Sequence, residues 1–238
     1  AHIGTCILDP SAYKKELEKL INFIKDVEKE LGFKIEYIDI GGGFASNSTL
    51  HSQYSAGDET NPSIDAYAEA ITTPLLAAGF DPDKIPLLIL ETGRALIDNA
   101  GYAITSVVAN KRLANGTRSV IIDAGVNILF TSFWYKHNIH LTEEKTGMFE
   151  ETVIYGPLCM NIDVIHPSLR LPALIPGELL VLHPVGAYNV TQWLQFIRMR
   201  PAVVLIGLNG EIDEIRSSES IEIIKNIEKK PDWIKRSK

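Results

Sequence analysis

The pattern of apolar residues changes character once along this chain, near Leu96, and that change limits the fold more than any other feature. Before it, helix-like and strand-like segments alternate. Asp9 offers a side-chain cap and Pro10 a preset first-turn φ, which together suit a helix start. Tyr13, Leu17, Leu20, Ile21, Ile24, Val27 and Leu31 then form one stripe at helical spacing, and Gly32 ends it. Ile35 to Ile40 reads as a short strand stopped by Gly41-Gly42-Gly43. A polar loop from Ser46 to Ser63 leads to a second helix over Ile64 to Ala78, with a kink expected at Pro74. After Pro86, the run Leu87-Leu88-Ile89-Leu90 suits a strand buried on both faces, as in a parallel sheet.

From Leu96 to Gly207 the segments are β-rich. Ile104 to Val108 and Val120 to Ile122 flank Asn115-Gly116, a hairpin signal, and Asn209-Gly210 is a second one. Thr152 to Tyr155, Leu179 to Leu182 and Val203 to Ile206 are further strands, and an amphipathic helix is expected over Ser218 to Ile227. Alternating elements followed by an all-β stretch predict two domains, a parallel α/β one and an antiparallel one. Two parallel strands do not make a stable sheet alone. The α/β portion is therefore expected to be the end of something larger, and the opening on Ala1-His2-Ile3-Gly4 without a methionine points the same way.

The formal net charge of −7 argues against nucleic acid as the main partner, and the basic pairs Lys14-Lys15 and Lys229-Lys230 sit beside acids. Cys6 and Cys159 stand far apart and outside any C-x-x-C pattern, so no zinc or disulfide framework is suggested. Sparse cysteine use fits a reducing compartment. There is no signal-peptide pattern at the amino terminus and no apolar run of about 18 residues. The expectation is a soluble cytoplasmic protein with no membrane partner.

Several short motifs can carry chemistry. Gly41-Gly42-Gly43 lies where a strand ends, and glycines there let backbone amides approach an anion. Alone, such a triplet is more often a tight turn, and its spacing is not G-x-G-x-x-G. Glu91-Thr92-Gly93-Arg94 ends the next strand; late strand ends of a β/α barrel often build a phosphate site, while a structural ion pair explains the same residues equally well. Cys159, after Gly156-Pro157-Leu158, is either an exposed thiol or, more commonly, a small buried hydrophobe. Tyr188, in Gly186-Ala187-Tyr188, is core or a hydrogen-bond donor. His137 and His140 could bind a metal if helical, and in a β-rich stretch they read as surface residues.

The order of these motifs says more than any one of them. His2-Ile3-Gly4-Thr5, Ile38-Asp39-Ile40-Gly41-Gly42-Gly43-Phe44, Glu91-Thr92-Gly93-Arg94, Gly156-Pro157-Leu158-Cys159 with Asp163, Gly186-Ala187-Tyr188 and Arg200-Pro201-Ala202 resemble the fold-type III pyridoxal-phosphate (PLP) decarboxylases of the ornithine/diaminopimelate/arginine type. The resemblance covers nearly the whole chain. It implies that residues 1–97 are the carboxy-terminal part of a PLP-binding (β/α)8 barrel. Residues 98–238 would be an antiparallel Greek-key β-barrel or sandwich domain with a carboxy-terminal helix. It also implies a homodimer with shared active sites. By the same likeness, His2 stacks on the cofactor ring and Glu91 pairs with its nitrogen. Thr5, Gly41, Gly42, Gly43, Thr92, Gly93, Arg94 and Tyr188 form the rest of the cofactor site. Cys159 reaches the partner's site and helps return a proton after CO2 leaves. Arg94, Tyr135, Lys136, Met160 and Tyr188 would face a small amino-acid substrate.

The sequence also departs from that family. Its cofactor-bonding lysine lies on an earlier barrel strand, and no lysine here matches it, so the chain alone is expected to be inactive. Met160 stands where relatives carry an acid for the substrate's distal amine. Thr131 stands where the diaminopimelate type has an arginine, Tyr135 matches its tyrosine, and Lys136 lies near an acid of the ornithine type. Thr92 replaces a proline. A buried ammonium without a partner is costly. The expected substrate therefore has a neutral or anionic far end. The rival expectation is a non-catalytic decarboxylase homologue that acts by protein binding; a PLP racemase would need a second base, which no residue nominates.

Overall fold

The computed structural model describes residues 1–54, 57–231 and 233–234. The first helix, α1 (Ser11–Leu31), starts where Asp9 accepts hydrogen bonds from the Ser11 amide and hydroxyl. It ends at Gly32, whose left-handed φ of 74° lets its N–H reach the Glu28 carbonyl. The strand β1 (Tyr37–Asp39) follows, then the two-residue β2 (Thr49–Leu50), the single turn α2 (Gly57–Thr60) and α3 (Ile64–Ala77). Ser63 caps α3 by accepting from the Ala66 N–H at 3.1 Å. Strand β3 (Leu87–Ile89) lies parallel to β1, with Ile38 opposite Leu88. Residues before α1 continue this array on the other side of β1: Ile7 bridges Phe44 in parallel and its N–H donates to Gly43 at 2.8 Å.

Under these three extended segments lies a core built from α1, α3 and Phe44. Tyr13 stacks on Phe44 at 5.0 Å between ring centroids, and Tyr67 meets both edge-on. The two phenols then fix the strand ends above them. Tyr13 donates to the Gly42 carbonyl at 2.8 Å and Tyr67 to the Ile7 carbonyl. Burial pushes the Tyr13 hydroxyl well above the ordinary phenol range, so it stays a donor.

The remainder is sheet. After the short helix α4 (Arg94–Ile97) come β4 (Ala103–Arg112) and β5 (Arg118–Ile122), joined at Asn115-Gly116 with Gly116 at φ 85°. Then follow β6 (Tyr135–Lys136), β7 (Asn138–Leu141), β8 (Glu150–Tyr155), β9 (Val164–Leu171) and β10 (Leu179–His183). Six of these form one sheet in the order β7-β10-β4-β5-β8-β9, over a core that includes Val120, Ile122, Ile154, Ile165, Leu180 and Leu182. The hairpin β11 (Val203–Ile206) and β12 (Ile212–Arg216) turns at Gly210, and α5 (Ile221–Ile227) follows.

Three expectations need correction. The large sheet is mixed, because β5 and β8 run parallel; some 27 residues of connection, including β6 and β7, give room for the crossover. Strand β3 is not buried on both faces: among the described residues it pairs only with β1, and Leu87 is 67% exposed. The tail helix begins at Ile221 rather than Ser218 and buries none of its residues.

Candidate active site

The ends of the three parallel segments meet on one side of the molecule. Gly42 packs so closely on the chain just after β3 that a Cβ there would overlap the Glu91 carbonyl oxygen, and Gly43 does the same against Gly4. At Gly41, in the left-handed region at φ 69°, a Cβ would lie 2.6 Å from His2 Nδ1. The Gly42 N–H donates to His2 Nδ1 at 3.4 Å, and the Glu91 N–H donates to Gly41 at 2.9 Å. The triplet thus works first as the seam between neighbouring strand ends.

Beside this seam opens a cavity of about 260 Å³, lined by Thr5, Leu50, Arg94, Thr131, Trp134, Tyr135, Tyr188 and Gln192. Five of these, Thr5, Arg94, Thr131, Tyr135 and Tyr188, are residues that the sequence singles out. Arg94 is its central group. The side chain is buried, and its guanidinium carbon sits 4.0 Å from the Tyr135 ring centroid and 5.1 Å from that of Tyr188. Nη1 pairs with Asp98 at 3.2 Å, while Nε is buried without a partner. Burial raises the pKa of the Tyr135 phenol; the Arg94 charge and a hydrogen bond with the Thr5 side chain oppose that shift. Tyr188 holds a left-handed φ of 67°, strained for a residue with a Cβ. A Cβ on Gly93 would stand 4.0 Å from the Tyr188 hydroxyl, so this phenol covers the Glu91–Arg94 turn.

The pairing of β2 with β6 closes the cavity on a second side, with Leu50 opposite Tyr135. Thr131, in the 3-10 turn Phe130–Phe133, is held from behind. Its hydroxyl lies 2.8 Å from Asn189 Oδ1 and 3.2 Å from His137 Nε2. His137 in turn bonds the Pro184 carbonyl through Nδ1 at 2.8 Å. His137 is therefore core, not the surface residue expected; alternation from Tyr135 through His137 to Ile139 turns it inward. His140 is exposed.

Other singled-out residues lie outside this cavity wall. Glu91 and His2 are exposed at the strand ends beside it. Lys136 faces the other side of β6, where its ammonium donates to the Gln53 carbonyl at 3.1 Å. Cys159 and Met160 are exposed on the turn between β8 and β9. That turn is built around Asp163, whose buried carboxylate accepts from the Val126 and Leu158 amides, each at 2.7 Å. Leu50, Trp134 and Gln192 were not anticipated, and no local pattern marks them.

Every polar group that lines the cavity can donate a hydrogen bond, one carries a full positive charge, and no carboxylate is among them. That donor set and the unpartnered Nε suit an anionic group such as a phosphate. The sequence model of the family described as "pyridoxal-dependent decarboxylase, C-terminal sheet domain" matches residues 23–186. The chain belongs to the pyridoxal-dependent decarboxylase family. Diaminopimelate decarboxylase of Archaeoglobus fulgidus is 31% identical over 238 residues, 98% of this chain and 54% of that protein. The crystal structure of diaminopimelate decarboxylase from Methanocaldococcus jannaschii superposes with a TM-score of 0.83 at 30% identity, over 97% of this chain and 51% of that one. A second structure of that enzyme, in co-complex with L-lysine, gives 0.80 at the same identity, with the same shares of the two chains. This chain of the decarboxylase family spans about half the length of the curated relatives it matches. No described helix is long and apolar enough to cross a membrane.

Proposed function

We propose that the complete protein decarboxylates an amino acid with pyridoxal phosphate, and that this chain supplies the phosphate end of the cofactor site. The observation that carries this reading is the meeting of Thr5, Arg94, Tyr135 and Tyr188 around one cavity, at the ends of three parallel segments. Residues 1–97 are then the last part of a (β/α)8 barrel and residues 98–238 a β-domain packed against its strand ends. Thr5, the Gly43 and Gly93 amides, Arg94 and Tyr188 hold the phosphate, and Gly41 and Gly42 shape the strand ends around it. His2 meets the ring face and Glu91 supplies a carboxylate for the ring nitrogen. The cofactor, when bound, supplies the electron sink for the bond left by departing CO2.

The residues of this chain have simpler tasks. Arg94, packed against two phenol rings, presents fixed positive charge with little reorganisation. Trp134, Leu50 and the tyrosine rings keep water from the cavity floor. The exposed Cys159 thiol donates a proton at the site of a neighbouring subunit in a homodimer. Met160 and Thr131 offer no charge to a distal ammonium, so the substrate's far end is neutral or anionic. The relatives are named for diaminopimelate, which makes that amino acid the decisive competitor.

The test is to incubate the complete protein with pyridoxal phosphate, record its visible absorption, and measure CO2 release from a panel of amino acids. A bound-cofactor band and CO2 release are expected. A protein that never binds the cofactor would instead be the non-catalytic homologue. High efficiency with diaminopimelate, ornithine or lysine would remove the substrate proposal and leave the decarboxylase reading intact.

A further inference from the structure

A carboxylate behind the cavity ties together the loops that form it. Asp98 is 2% exposed and immediately follows α4. Its Oδ2 accepts from the Ser46 hydroxyl at 2.5 Å, the Ser48 hydroxyl at 2.6 Å and Arg94 Nη1 at 3.2 Å. Its Oδ1 accepts from the Ala187 N–H at 3.2 Å, and its main-chain carbonyl accepts from the Gly186 N–H at 2.9 Å. A Cβ on Gly186 would overlap the Ile97 carbonyl, so only glycine allows this approach.

These donors come from three separate stretches: the loop after β1, the first turn of α4 and the loop after β10. Two of them carry a cavity residue. Arg94 is bonded directly, and Tyr188 directly follows the tethered Ala187. A carboxylate has about four acceptor sites, and four side-chain bonds leave this one no free rotation. Its position therefore fixes both the guanidinium and the strained backbone at Tyr188.

We propose that Asp98 is a positioning residue that sets the Arg94 guanidinium and the Tyr188 phenol as a clamp for the phosphate of the cofactor, with Ser46 and Ser48 bracing the carboxylate. The inference rests on reading the cavity as the phosphate end of the site. Asp98→Asn has nearly the same shape but places an NH2 where one oxygen stood. With the NH2 at the Oδ2 position, Arg94, which has donors only, is released; with it at the Oδ1 position, the Ala187 N–H beside Tyr188 is released; in either orientation the negative charge that holds the guanidinium is gone.

The experiment titrates the complete protein, stripped of cofactor, with pyridoxal phosphate and with pyridoxal, which lacks the phosphate. In Asp98→Asn, affinity for pyridoxal phosphate should fall about tenfold, the worth of one charge-assisted hydrogen bond, while affinity for pyridoxal changes less than about twofold. A purely architectural role would weaken both ligands alike. A wild-type protein that binds the two equally overturns the site reading, and this inference with it. A wild type that prefers the phosphate, beside an Asp98→Asn protein with the same preference, overturns the role of Asp98 alone. If Asp98→Asn fails to fold, Ser46→Ala/Ser48→Ala keeps the buried ion pair and should lower the same preference about threefold, as two braces are lost; an unchanged preference again overturns the role of Asp98.

Discussion

His137 should make this fold sensitive to mild acid. The ring is 2% exposed, and burial depresses its pKa from 6.5 to about 4; Arg94 and His166 add to the depression, while the Pro184 carbonyl and Asp98 oppose it. Pro184 can only accept, so Nδ1 carries the proton of the neutral ring and Nε2 stays unprotonated, 3.2 Å from the Thr131 hydroxyl. The unfolded chain takes up a proton more readily than the folded one, so the stabilisation is whole above pH 6.5 and is lost as pH falls toward 4. With those two values, stability from this group drops by about 2 kcal/mol between roughly pH 7 and 5, and by about 3 kcal/mol once both states are protonated. Urea unfolding of wild type and His137→Gln at both pH values isolates the effect, because His166, also depressed to about 4 chiefly by burial, titrates in both proteins. The stability difference between the two proteins should shrink by about 2 kcal/mol from roughly pH 7 to pH 5. Parallel curves would refute the reasoning. Thr131 lines the cavity, so the same protonation should also loosen its wall.

Gly42→Ala should destabilise by about 1–3 kcal/mol, since the new methyl meets the rigid Glu91 backbone rather than a movable side chain; thermal unfolding measures it. Ile154→Ala, at a fully buried site in the mixed sheet, should cost about 2–5 kcal/mol in urea unfolding, and a loss under 1 kcal/mol would mean that the β8 core is misplaced. In the native chain one thiol, Cys159, should react promptly with an aromatic disulfide reagent. Cys6 should react only on unfolding, because burial both shields its thiol and raises its pKa.

Local patterns in the sequence reach a long way into this fold. The stripe from Tyr13 to Ile24, the glycine stop at Gly32 and both Asn-Gly turns depend on neighbours a few residues apart, and they appear where those patterns place them. The cavity residues Thr5, Arg94 and Tyr188 are legible through the order of motifs, and Thr131 and Tyr135 through the family resemblance that this order reveals, since no local rule joins positions so far apart. Features fixed by tertiary contact stayed hidden. Asp98 reads as an ordinary acid near a helix end, and only the approach of the 46–48 and 186–188 loops makes it a hub. Strand β9 carries Pro167 and several polar residues, which mask its period, although β8 pairs with it along most of its length. Leu50 and Trp134 enter the cavity wall through the β2–β6 pairing, which joins residues more than eighty positions apart.

The cavity beside the Gly93 turn is the centre of this account, and a crystal structure of the complete protein soaked with pyridoxal phosphate interrogates it most directly. The phosphate should be found against Arg94 and the Tyr188 hydroxyl, with Thr5 within hydrogen-bond reach. Density for the phosphate at any other place on the protein, with this cavity filled by water alone, would contradict the account.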